Sequence, residues 1–280
     1  MRRFWLSAVV FLFGINASAS DEVLLESSAD EPVSSPFGLN FSSILYGPGV
    51  GSISSQQPRI FEASDPNSPI YSKNFLNTSY ALSPDLSVIA TVYWHYRPVQ
   101  GQSLELQDPS IRVAHSSLYH TENGLNLYAD ARIHFGLSSG SRANDLLAGV
   151  QSFQYLTFPL VMSPDEEQTR GLSGALRVSE RRNFFGPEGE GSDVEFYLAP
   201  ELLFHLNSDL SLNAFYEAGT NHVFGAPGNQ WSNDGNDLVT GVSWDITPSL
   251  YLNPYLIFQV GSAFSWSKTA LGGFVSWKLF

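Results

Sequence analysis

The 280-residue chain carries 14 Lys+Arg against 27 Asp+Glu and no cysteine, which argues against a nucleic-acid partner and excludes disulfides and thiolate metal sites. Hydrophobic residues make up 43% of it, yet the mean hydropathy is −0.07. Beyond the N-terminus no apolar run approaches the roughly 20 residues that a membrane-spanning helix needs.

The chain opens with Met1-Arg2-Arg3, an apolar run from Phe4 to Ile15 and the small residues Ala17-Ser18-Ala19. This is the pattern of a cleavable signal peptide over residues 1–19, and its apolar run is too short for an anchor. Cleavage before Ser20 leaves 12 Lys+Arg against 27 Asp+Glu, a formal net charge of 12 minus 27, or −15. Residues 20–35 are acidic, Ser-rich and aperiodic, as in a leader with no packed structure of its own.

From Pro36 onward the sequence becomes a run of segments of about ten residues with period-2 alternation. The clearest has Leu125, Leu127, Ala129, Ala131, Ile133, Phe135 and Leu137 on one parity and Asn126, Tyr128, Asp130, Arg132 and His134 on the other. Leu86 to Arg97 and Val194 to His205 alternate in the same way. Strands are expected near 37–46, 71–82, 86–97, 109–119, 125–137, 149–160, 172–182, 193–206, 210–221, 237–246, 250–262 and 270–280. The alternation is blurred in the first strand, in 109–119 and in 149–160, so counts of ten and fourteen stand as alternatives to twelve. Pro200 and Pro254 fall inside strands, where a missing ladder donor implies a bulge or a locally open pair.

The connections alternate in length. Ser83-Pro84-Asp85, His120 to Gly124, Asn207-Ser208-Asp209 and Thr247-Pro248-Ser249 are tight turns, and Ser163 to Gly171 is a longer member of that set. Between them lie longer connections at Gly47 to Pro69, Pro98 to Asp108, Ser138 to Ala148, Asn183 to Ser192, His222 to Asn236 and Ala263 to Thr269.

Through the signal peptide, the alternating strands, this rhythm of connections and the C-terminal Phe280, the chain resembles the Gram-negative outer-membrane β-barrel class. The resemblance implies an all-β, up-and-down antiparallel transmembrane barrel of about 12 strands over residues 36–280, in the cell outer membrane. Its short turns and the leader would lie in the periplasm and its long loops outside the cell. The implied partners are outer-membrane lipid and, during biogenesis, the barrel-assembly machinery, which recognises a terminal aromatic residue in phase with apolar ones. Here Leu271, Val275, Trp277 and Leu279 share one parity, while Phe280 sits on the other with Phe274, Ser276 and Lys278.

The inward parity supplies the candidate site. Arg97, Arg112, Arg132, Arg177 and Arg181 precede Glu195, Glu201, Glu217 and Asp245 along the chain, so that, apart from Asp130, the two signs occupy different walls. Such a transverse field suits a selective constriction, with Arg132, Arg177, Glu201 and Glu217 nearest mid-strand. The competing reading is a set of salt bridges that plug the interior, for instance Arg181 with Glu195. Tyr128, Tyr197, Tyr251, Tyr255 and Phe215 also point inward, either as a stacking track for ring-bearing solutes or as filling. Outward Trp94, Tyr96, Trp244 and Trp277 lie near strand ends, where interfacial girdles form.

Other chemistry is weaker. Some twelve-stranded outer-membrane barrels are phospholipases with a His-x-Ser-Asn-Gly-type motif, to which His115-Ser116-Ser117 and His120 with Asn123-Gly124 are the nearest clusters. Gly186 to Gly191 lacks the Lys and Ser/Thr of a phosphate loop. Asn233, Asp234, Asn236 and Asp237 form either an oxygen-rich turn or a calcium loop. The residues before the barrel supply neither a passenger nor a lumenal helix, as a translocator requires. The expected function is therefore a porin-like channel for passive diffusion of small polar solutes, without catalysis, cofactor or metal. The alternatives are a structural or surface-interaction barrel with a plugged lumen, and an outer-membrane lipid hydrolase.

Overall fold

The computed structural model describes residues 35–49, 70–98, 103–162, 170–223, 231–260 and 269–280. The expected signal peptide, and the leader up to residue 34, lie outside these residues. The elements in chain order are β1 (Phe37–Gly49), β2 (Tyr71–Ala81), β3 (Leu86–Arg97), β4 (Ser103–Leu106), β5 (Ser110–His120), β6 (Asn126–Phe135), α1 (Ser139–Ala143), β7 (Leu146–Met162), β8 (Gly171–Phe185), β9 (Ser192–His205), β10 (Leu210–Val223), β11 (Trp231–Thr247), β12 (Leu250–Gln259) and β13 (Thr269–Lys278).

Consecutive long strands pair antiparallel around a ring. The seam is β1 against β13, with Phe41 opposite Trp277 and Ile44 opposite Phe274. Because β2 also pairs with β3, the ring of twelve long strands has no free edge. Closure of this kind lets a sheet satisfy its own backbone without water. The expected count of twelve therefore holds for the wall.

The remaining strand, β4, belongs to a connection that the sequence reading leaves as loop. It pairs with the upper half of β3, Trp94 opposite Leu106, whereas β5 takes the lower half, Leu86 opposite His115. The two are segments of one lane, broken at residues 107–109. Pro109 cannot donate to the ladder, although its carbonyl still accepts from Phe135 N at 2.9 Å. The blurred alternation of 109–119 has its cause in a bulge of β5 between His115 and Tyr119.

Two more connections are shorter than expected. In 138–148, Ser138 caps the one-turn helix α1 by accepting from Ser141 N, and β7 begins at Leu146. In 222–236, β11 begins at Trp231. Pro200 and Pro254 each interrupt one ladder without a register shift: β9–β10 skips from Glu201 to Leu198, and β11–β12 from Tyr255 to Leu252. Their other flanks stay continuous, so each is a locally open pair. Among the tight turns, Asn207 Oδ1 accepts from the backbone N–H of Asp209 and Leu210, and Gly124 takes the positive φ that a side chain resists.

The alternation sorts the side chains. On β5 and β6, Ile111, Val113, Ile133 and Phe135 are exposed on the outer face, while Arg112, Asp130 and Arg132 are buried within the ring. Phe37, Tyr80, Tyr96, Trp231, Trp244 and Trp277 are exposed near strand ends. Trp94 lies on the same face, half-buried with its ring 6.1 Å from Phe41. On β13, Phe274 and Ser276 are buried and Leu271 and Trp277 exposed, as is Leu279 just after it. Phe280 follows the strand, its carbonyl accepting from Leu39 N at 3.0 Å.

An apolar outer band predicts that Val113→Arg, mid-strand on β5, destabilises the barrel by about 2–4 kcal/mol in lipid vesicles. Urea titration of vesicle-folded protein measures this. An unchanged midpoint would place Val113 away from lipid.

Candidate functional site

The interior wall is polar as well as aromatic. Lys73, Asn77, Thr91, Ser110, Arg112, Asp130, Arg132, Gln151, Arg177, Ser179, Glu201, Asn213, Asp237 and Asn253 are all buried. The strand ladders place the fifteen residues read as inward on the inner parity, and the side chains then fall into separate groups.

The first group centres on Asp130. Arg132 forks onto it through Nε at 2.9 Å and Nη2 at 2.7 Å, and Tyr128 donates its hydroxyl at 2.9 Å. Arg112 stands directly opposite Arg132 across β5–β6, and its charge also acts on Asp130. Phe153 of β7 packs below, 6.0 Å from both the Arg132 guanidinium and the Tyr128 ring.

The second group bridges β8 and β9. Arg177 Nη2 meets Glu201 Oε2 at 2.6 Å, with side-chain exposures of 3% and 1%. The guanidinium lies over Phe215 at 4.6 Å and over Tyr155 at 5.7 Å, and Tyr155 donates to Glu201 at 3.4 Å. Next to it, Tyr197 donates to Glu217 at 2.7 Å, and Glu217 faces Asp237 across β10–β11.

The remaining residues lie apart. Arg97 pairs with Glu105 of β4 at 3.0 Å near one rim. Asp245 sits near the opposite rim, its N–H donating to Asp209 O. Tyr255 packs between two interior apolar clusters, against Gly272, where a Cβ would collide with its ring. The suggested Arg181–Glu195 bridge is not made: Asn183 Nδ2 is the donor on Glu195.

Two features escape the sequence reading. Lys73 is an inward charge that it does not name, and Asp237 one that it assigns to a loop. The stacked rings are also elsewhere: Tyr46 with Tyr71 at 4.7 Å and Phe75 with Tyr93 at 4.6 Å, on β1 to β3, with Phe274 in the same cluster. Tyr128, Tyr197 and Phe215 instead attach to the charged groups. The available signal is the parity Tyr71, Lys73, Phe75, Asn77, Ser79, which mixes rings with polar residues and so resembles neither a core nor a pore face.

Asn233 to Asp237 lie on β11, not in the loop that the sequence reading expects. Asn236 accepts from Tyr216 outside, while Asp237 is buried inside. Among the described residues no group of three or more acidic or histidine side chains could hold a metal ion. The serine–histidine reading fares poorly as well. Ser117 Oγ lies 3.3 Å from His120 Nδ1 but donates at 2.6 Å to Asn126, so its proton is directed away from the imidazole that would have to activate it.

Comparison with solved structures finds an outer membrane channel from Pseudomonas putida F1 at a TM-score of 0.56 and 9% identity, covering 92% of this chain and 100% of that one. The two share a fold. A KdgM porin in complex with disordered oligogalacturonate aligns at a TM-score of 0.46 and 9% identity, over 87% of this chain and 99% of that one. No protein-family model matches the sequence, and no curated protein matches it. The chain is thus an all-β outer-membrane-type barrel, and what it does rests on its own lumen.

The Arg177–Glu201 contact predicts a split between pairs. Arg177→Ala strands a buried carboxylate and lowers stability by about 3–5 kcal/mol, whereas replacing both residues by Met and Leu is close to neutral. Arg97→Ala, whose partner is half in solvent, costs less than about 1 kcal/mol. Denaturant titrations of the variants test this, and equal losses for Arg177→Ala and Arg97→Ala would contradict it.

Proposed function

We propose that the protein is an outer-membrane channel for passive diffusion of small polar solutes, without catalytic turnover. The observation that carries this reading is the sorting of inward charge within a closed ring. Lys73, Arg97, Arg112, Arg132, Arg177 and Arg181 lie on β2 to β8, while Glu195, Glu201, Glu217, Asp237 and Asp245 lie on β9 to β11. Asp130 on β6 and, near one rim, Glu105 on β4 are exceptions. A barrel that needed only a filled interior would gain from apolar side chains, because buried charges cost several kcal/mol each to desolvate. Opposed walls of charge instead orient a dipolar solute and set ion preference.

A second reading, a structural barrel with a closed lumen, is favoured by the depth of the Asp130–Arg132 and Arg177–Glu201 pairs, whose side chains are nearly inaccessible. Refolded protein in planar bilayers separates the two. The channel gives discrete conductance steps, and Glu217→Gln shifts the reversal potential toward anions under a salt gradient. Silence across voltages and salts would leave the structural reading.

Topology offers an independent test on cells. A tag inserted between Gly186 and Gly191 should be labelled on intact cells, and one at Asn207 to Asp209 only after permeabilisation. The reverse pattern would invert the barrel.

A further inference from the structure

Arg181 differs from the other inward cations. Among the described residues its side chain makes no hydrogen bond or ion pair; its Nε is buried without a hydrogen-bond partner, as are Arg112 Nε and Arg177 Nε, but Arg177 has its ion pair with Glu201. Glu195 is its neighbour across β8–β9, yet the donor on Glu195 Oε1 is Asn183, which also donates to the Ser192 carbonyl at 2.7 Å. A guanidinium loses much hydration when its stem is covered, and it carries five donors in a planar fork. Leaving that fork without an acceptor is costly unless one arrives from outside the chain.

The surroundings hold this side chain in place and add charge of the same sign. Gly149 of β7 pairs with Asn183 on one side and His134 on the other. A Cβ at that glycine would lie 2.7 Å from Arg181 Nε and 2.8 Å from Asn183 Oδ1, closer than non-bonded atoms allow. The bare backbone at 149 is therefore the seat on which the arginine rests. Nε is buried there, so the exposed part of this half-buried residue lies beyond it, toward the lumen. Arg181 acts electrostatically on Arg132 and His134 of β6. The His134 ring is held by Gln151 at 2.7 Å, which itself donates to Ser179 at 2.8 Å. Arg112 of β5 stands opposite Arg132 of β6, and Asp130 is the acid beside them. Three guanidinium groups thus share one wall with Asp130, and Glu195 stands across β8–β9 from Arg181.

We propose that Arg181, seated on Gly149, is an oxyanion-binding site of the lumen, which takes the carboxylate or phosphate group of a small solute through its planar fork. Arg112 and Arg132 supply attraction from the same wall. The site lies four residues further along β8 than Arg177, toward the Gly186 to Gly191 connection, so a solute entering from that end meets it before the Arg177–Glu201 pair. As a step in permeation this rests on the channel reading, but the binding itself does not.

Two measurements keep the two claims apart. Calorimetric titration of the detergent-folded barrel with inorganic phosphate, and in parallel with acetate, should show saturable binding. Arg181→Ala should weaken it about tenfold or more, the range expected for a lost charge-assisted hydrogen bond. Gly149→Ala, which leaves the arginine but removes its seat, should weaken it as well. Arg181→Lys should retain part of the affinity, and Arg182→Ala, on the outer face of the same strand, should leave it unchanged. In planar bilayers the same anions should reduce the chloride current of the parent protein, and less so that of Arg181→Ala. Absence of saturable binding of either anion, or equal binding by parent and Arg181→Ala, overturns the site. Binding that is lost in Arg181→Ala in a barrel that passes no current upholds the site and overturns the channel. Gel mobility of unheated samples establishes that each variant is folded.

Discussion

Every other feature of this protein depends on one requirement, that a sheet in hydrocarbon must satisfy its own N–H and C=O groups. The β1–β13 seam meets it by bringing residues more than 200 positions apart into register, Asn40 opposite Lys278 through Gly49 opposite Ala270. The breaks that remain are local. Pro200 and Pro254 each open one ladder and keep the other, and Pro109 splits a lane whose two parts both stay on β3. A missing donor is tolerated where the neighbouring strand continues past it.

Closure has a second consequence, because it divides side chains into two environments with no intermediate. The outer face meets lipid and is mostly apolar, with Asn74, Glu180 and Arg182 as polar exceptions. The inner face must accommodate charges in a confined, weakly screened space, and the lumen does this by short-range pairing: within one strand for Asp130 and Arg132, between adjacent strands for Arg177 and Glu201. Crowding at the inner face also explains particular glycines. Gly272 admits the Tyr255 ring, Gly241 leaves room for the Pro254 carbonyl, and Gly149 admits the Arg181 guanidinium. A glycine in a strand interior costs conformational entropy, and at these three positions close approach of a neighbour compensates.

The charged lumen therefore has two kinds of site. At mid-height, arginines with aromatic neighbours are ion-paired within the chain, and their burial makes them structural elements whatever else they do. Nearer the Gly186 to Gly191 end, Arg181 has no ion pair among the described residues, and Asn183 is the donor on Glu195 Oε1. The serine–histidine contact at Ser117 shows the same principle in reverse: a short distance alone confers no chemistry when the hydrogen bond runs to another acceptor.

Strand number, strand parity and the inner and outer faces were legible in the sequence, because period-2 alternation is a local property that each segment displays by itself. Leu125 to Leu137 announces its two faces with no reference to any other part of the chain. Blurring occurred where the local pattern is broken by non-local geometry, as at the bulge after His115 and in the lane split at Pro109. Partners were a different matter. Parity places Arg177, Arg181, Glu195 and Glu201 on one face but says nothing of register, and the offset between β8 and β9 decides which acid meets which arginine. That offset sets Arg181 opposite Glu195, after which a side-chain amide two residues along takes the carboxylate. Only the tertiary structure contains that competition, since it depends on distances of a few ångströms between strands rather than on the order of residues within one.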